Sequence, residues 1–159
     1  MAEFTRYETF ILLNQPKPLW LSDIDLSGMD LRGVDLSRAT VHKANLKGVD
    51  LRGAMMADAN LGGANLENAI LIGADLRRAR LRGACLRGAD LREANMAEAD
   101  LSEADLTGSS LVSANMGGID LTGTILTGAN LTEAVVPEYK LERASALSGA
   151  TMPDGSVHE

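Results

Sequence analysis

"ADLREANMAEADLSEADL", residues 89 to 106, brings back Ala, then Asp or Asn, then Leu or Met every five residues. A helix repeats every 3.6 residues and a strand every two, so neither accounts for a period of five. Five steps along a helix rotate a side chain by about 140°, which scatters the apolar positions round the cylinder. On a continuous strand an odd step flips the face each time. Within one pentad, however, Ala and Leu are two apart and share one side of a short extended segment, with Asp or Asn pointing outward. The two remaining residues, often polar plus Gly, suit a turn. If each turn is roughly a right angle, four pentads close a square coil with Leu and Ala in its middle.

The pattern extends well beyond that stretch, and a repeat of this kind decides the whole fold. Stepping by five from Leu21 to Val136 meets 24 positions, all apolar. Two residues before each of them Ala recurs 16 times, Asp or Asn fills the intervening slot 15 times, and Gly ends 12 of the pentads. Charge gives an independent check. Residues 21 to 136 hold 11 Lys or Arg and 16 Asp or Glu, and none of the 27 falls on the 48 inward positions. Burying an unpaired charge costs several kcal/mol, so this segregation is what an inside and an outside require.

Composition agrees. The chain of 159 residues is long enough for one domain with a sizeable interior. It is 45% hydrophobic yet only 3% aromatic, so the core must be built from small and branched aliphatics. The opening "MAEFTRYETFILLNQPKPLW" has no basic n-region and no small-residue cleavage site, and no apolar run reaches the ~18 residues of a membrane span. Cys85 is the one cysteine, which excludes an internal disulfide and fits a reducing, cytoplasmic setting.

The tandem A-[D/N]-L-x-x resembles the pentapeptide-repeat family over about three quarters of the chain. That resemblance implies an all-β solenoid, a right-handed quadrilateral β-helix with four pentads per coil and about six coils. At ~4.8 Å per coil the rod is about 29 Å long. Residues 20 apart then stack. Leu26 to Leu126 and Leu31 to Leu131 form leucine columns, whereas Leu36, Met56, Leu76, Met96, Met116 and Val136 form a column expected to pack more loosely, because Met is an adaptable filler. Outside, Arg38, Asp58, Arg78 and Glu98 stack with alternating sign, as do Lys47, Glu67 and Arg87.

Short helical caps are expected at both ends, since an open coil exposes unpaired edges. The expected division is an N-terminal cap over 1–18, a β-helix over 19–137, and a C-terminal helix with a closing tail over 138–159. The first cap is a short helix over residues 3 to 13, with Trp20 packing on the core. Pro137 fits the first position of the second helix, "EYKLERASAL" continues it, and a Pro-Asp-Gly turn closes the tail.

Chemistry-bearing patterns are sparse. The outward Asp and Asn are repeated equivalents, and acid–base work needs one carboxylate perturbed relative to another. His42 and His158 are the two histidines, too few for an ordinary zinc site, and no phosphate loop or dinucleotide fingerprint occurs. The expectation is a non-enzymatic protein–protein interaction module with no cofactor or metal, monomeric and not membrane-bound. Its candidate partner surface is a belt of Arg77, Arg78, Arg80, Arg82, Arg87 and Arg92, below which Glu93 to Val136 carry seven acids and no Lys or Arg. The partner expected is another protein. Direct nucleic-acid binding is disfavoured by the acidic balance and by the lack of aromatics among the arginines. The resemblance also implies an alternative, since quinolone-resistance members mimic DNA and bind a type II topoisomerase such as DNA gyrase. B-DNA of ~29 Å carries about 17 charges, whereas the coil region nets 11 minus 16, or -5.

Overall fold

The computed structural model describes residues 13–159. The helix expected over residues 3 to 13 lies, but for its last residue, outside the described residues. From Trp20 onward the chain winds as a right-handed quadrilateral β-helix. Each side of the square contributes one bridging residue per coil, and every bridge from Trp20↔Thr40 to Asn115↔Val135 is parallel and joins residues 20 apart. The four sides are named here by the bridging residues of the fourth level: side 1 by Arg80, side 2 by Cys85, side 3 by Asp90 and side 4 by Asn95.

One pentad, residues 89 to 93, shows how the backbone is satisfied. Ala89 N–H donates to the Leu86 carbonyl at 3.0 Å, closing the preceding corner, and Asp90 N–H donates to Ala69 of the coil above at 2.9 Å. Leu91 and Glu93 N–H donate to Ser110 and Val112 of the coil below at 2.7 and 3.0 Å. The fifth donor, Arg92 N–H, is taken by the Asp90 side chain at 3.3 Å. All five amides are therefore paired, as buried or strained backbone requires.

The corners explain the glycines. At every fifth position from Asp23 to Glu133 the third corner residue has a positive φ, whether it is one of 12 glycines or one of 11 other residues. With the bond that closes every corner from Gly28 to Glu133, this is the geometry of a type II turn, whose third residue must be left-handed. Gly48, at φ +63°, needs its freedom for conformation alone, because a Cβ there would meet nothing.

Inside, 44 of the 48 inward side chains are buried, and the exceptions, Ile24, Met29, Val34 and Val136, lie at the two ends. Met56, Met96 and Met116 are as fully buried as the leucine columns. Trp20 departs from expectation: it is 76% exposed, because it occupies an outward bridging slot while Leu19 takes the inward one beside it.

The helix after the coils is also shorter than the sequence suggests. Helix α1 covers Glu138–Leu141, and Pro137 precedes its first residue as the N-cap, with an extended backbone. The helix stops there because Ser145 and Ala146 rejoin the coil, donating to Thr124 and accepting from Leu126. Pairing then runs at a spacing of 21, in Ile125↔Ala146 and Asn130↔Thr151, and an antiparallel Thr151↔Val157 bridge closes the edge. The Pro-Asp-Gly turn lies within that closure.

Candidate interaction surface

The Asp and Asn of the pentad have a local duty. All 15 of them, from Asp25 to Asn130, accept a hydrogen bond from the backbone N–H two residues on, at 2.9 to 3.3 Å. This is an Asx-turn, and it takes the one amide that the coil ladder leaves over. The outward carboxylates are therefore structural before they are anything else.

Their spare oxygen capacity holds the arginines. Asp30-Leu31-Arg32, Asp50-Leu51-Arg52, Asp75-Leu76-Arg77 and Asp90-Leu91-Arg92 each fold so that the Arg fork grips the Asp two residues back, at 2.6 to 2.9 Å for the closest contacts. Hydrogen bonding from the guanidinium is the largest influence holding Asp50, Asp75 and Asp90 below the ordinary carboxylate range. Arg78 reaches up one coil instead, making two bonds to Asp58 at 2.8 and 2.9 Å. That contact lowers the Asp58 pKa and raises that of Arg78.

The belt thus resolves into distinct members. Arg77 and Arg92 are held locally and Arg78 is held from above. Arg82 and Arg87, whose preceding slots are Arg80 and Cys85 rather than Asp, reach down to Glu103 at 2.7 Å and Asp105 at 3.4 Å. Arg87 stands below Glu67 in the expected column but pairs with Asp105 instead, while Glu67 is held by Lys47 at 2.9 Å. Arg80 makes no ion pair or hydrogen bond with a carboxylate among the described residues. It is also the one Lys or Arg in any of the 24 Asp/Asn slots, so the Arg82 amide behind it has no side-chain cap.

The structure distributes the belt round the whole perimeter. Arg77 and Arg78 lie on the corner between sides 4 and 1, Arg82 between 1 and 2, Arg87 between 2 and 3, and Arg92 between 3 and 4. Side 1 gathers the most of them, with Arg77, Arg78, Arg80 and Arg82 on it or at its corners. The signal that sorts them was present in the sequence as the Asp-Leu-Arg triplets, and it needed the side-chain geometry to be read.

Among the described residues no group of three His, Cys, Asp or Glu is placed to hold a metal ion, and no helix is long and apolar enough to cross a membrane.

Solved structures of the same architecture are found. One is a pentapeptide repeat protein (Rfr23) from the cyanobacterium Cyanothece 51142, 30% identical, with a TM-score of 0.54, covering 60% of this chain and 85% of that one. Another, from the Arabidopsis thaliana thylakoid lumen, is 29% identical with a TM-score of 0.51, covering 82% and 85%. HetL of Nostoc, described as involved in heterocyst differentiation regulation, is 30% identical with a TM-score of 0.49, covering 89% and 82%. No curated protein matches the chain. The sequence signature of pentapeptide repeats matches in eight copies over residues 21–53, 59–97 and 99–135, and the chain belongs to that family.

Proposed function

We propose that this protein is a non-enzymatic, monomeric interaction module of the cytoplasm, a rigid rod that presents side chains to another protein. The observation that carries this is the separation of duties: the inward rows hold the fold, so corner residues are free to serve recognition, and one level places arginine at all four corners. The carboxylates support a non-catalytic role. Asp50, Asp75 and Asp90 sit in equivalent settings and are all held ionised by their arginines, with none pushed apart from the others as acid–base work needs. Cys85 is a free thiol, consistent with a reducing compartment.

The test is capture of a partner by the immobilised protein from its own cell, compared with an Arg82→Glu/Arg87→Glu variant. Capture by the parent that the variant loses supports the belt as the contact. Equal capture by both removes Arg82 and Arg87 from it. A DNA-mimic action has too little charge behind it, a coil net of -5 against about 17 on the same length of DNA. Accordingly, supercoiling by DNA gyrase is expected to be unaffected by the protein at any concentration tried.

A further inference from the structure

Charge is divided by side as well as by level. On the first four levels of side 1 and its two corners stand six cations, Arg38, Lys43, Arg77, Arg78, Arg80 and Arg82, against two acids, Asp23 and Asp58. The same levels of the opposite side, side 3, balance five cations against five acids. On the next two levels of side 1 the sign reverses: Glu98, Asp100, Glu103 and Asp120 stand with no cation. A net of +4 on four of the six levels of one side of a chain of net charge -7 is a local excess, and only part of it is neutralised internally. Arg38, Lys43 and Arg80 hold no hydrogen-bonded carboxylate among the described residues.

Two residues of the bridging column on those levels are unusual for an outward slot. Arg80 is the one Lys or Arg in any of the 24 Asp/Asn slots and pairs with no carboxylate among the described residues; the uncapped amide behind it is shared with the other slots that lack Asp or Asn, such as Thr40 and Cys85. Trp20 heads the same column and is 76% exposed where a smaller residue would bridge equally well. Trp and Arg are also the residues that most often dominate binding energy at protein interfaces.

Resting on the interaction reading above, we propose that the first four levels of side 1 form a docking surface for an extended acidic segment of another protein. Its carboxylates meet Arg80 at the fourth level, in the positive field of Arg38 and Lys43 two levels above, and an apolar side chain covers Trp20 at the first. Three coil spacings separate Trp20 from Arg80, about 14 Å, so an extended segment needs its apolar residue about four residues from its acids. A second copy of this chain fits less well. An antiparallel pairing that set the basic levels of side 1 on the acidic levels of its mate would centre near the fourth level and leave Trp20 uncovered.

Trp20 is the chain's one tryptophan, so its emission reports occupancy directly. The probe is a tryptophan-free peptide, Leu-Ser-Gly-Ser-Glu-Glu, titrated into the full-length protein, with the Lys-Lys version as control. A saturable change with the Glu-Glu peptide alone is expected, weakened tenfold or more by Arg80→Glu and by raised salt, and unaltered by Arg92→Glu on the far corner, with circular dichroism confirming that both variants fold. No response to the Glu-Glu peptide, equal sensitivity to Arg92→Glu, tighter binding of a single-stranded oligonucleotide, or a concentration-dependent dimer that excludes the peptide would each overturn the proposal. Partner capture that persists in Arg80→Glu while the peptide fails would leave the module reading standing and this surface refuted.

Discussion

Residues 39 to 134 and residues 137 to 159 close the same square coil under different constraints. In the first region every bridge joins residues 20 apart, while past α1 the spacing is 21. In a continuous sheet a slip of one residue would turn every side chain to the wrong face. Here each side contributes a single bridging residue per coil, so one corner, enlarged into α1, absorbs the extra residue, and Ala150 is again fully buried. Register in this fold is therefore kept corner by corner. The regular coils hold it with Asx-capped turns, and the tail holds it with one short helix and a closing hairpin.

The comparison can be broken most forcefully in the core. Leu86→Ala, at a fully buried site, is expected to destabilise the protein by about 2–5 kcal/mol in urea unfolding. Leu147→Ala, at a partly buried site of the tail, should cost no more than about half as much by the same measurement. Equal costs would mean that the tail is as integral to the core as the central coils.

Removing residues 144–159 strips the partners of Leu126, Gly128 and Leu131 N–H. Hydrogen exchange at those amides is expected to speed up by about tenfold or more, with the Leu86 amide unchanged. Uniform acceleration along the rod would show instead that the coils open as one unit.

At the corners, Gly48→Ala should cost about 1–2 kcal/mol from left-handed backbone alone. Gly88→Ala should cost more, because its Cβ would lie 2.5 Å from the Asn68 Oδ1 and displace that side chain. Matching midpoints for the two variants would contradict this.

The smallest effect is that of pH. Asp50, Asp75 and Asp90 are held below their unfolded values, so the stability they add is complete above about pH 4. It is lost as pH falls through their lower folded values. The urea midpoint should be level from pH 7 to 5 and decline below about pH 4, less steeply in high salt. A midpoint that rises in acid would mean that the exposed arginine pairs contribute nothing.

Much of this architecture is legible in the residues. The unbroken apolar walk from Leu21 to Val136 and the exclusion of all 27 charges from the inward rows fix the pentad, its inside and its outside. The duty of Asp and Asn is less visible. Their outward position follows from alternation, but their role as caps for the amide two residues on requires the turn geometry. Trp20 misleads for a related reason. A lone aromatic near an end suggests a lid on the core, whereas the pentad phase puts Leu19 inward and Trp20 outward. The belt was visible as composition, but which arginines share a side depends on how four right-angled corners distribute consecutive pentads.

The sequence by itself determined the repeat, the core and the coil of 20 residues, because burial of apolar rows and exclusion of charge act on each pentad alike. Only the tertiary structure decided which charges meet. Arg82 finds Glu103 and Arg78 finds Asp58, while Arg80 finds no carboxylate, because these contacts join residues about one coil apart and depend on which way each corner side chain turns.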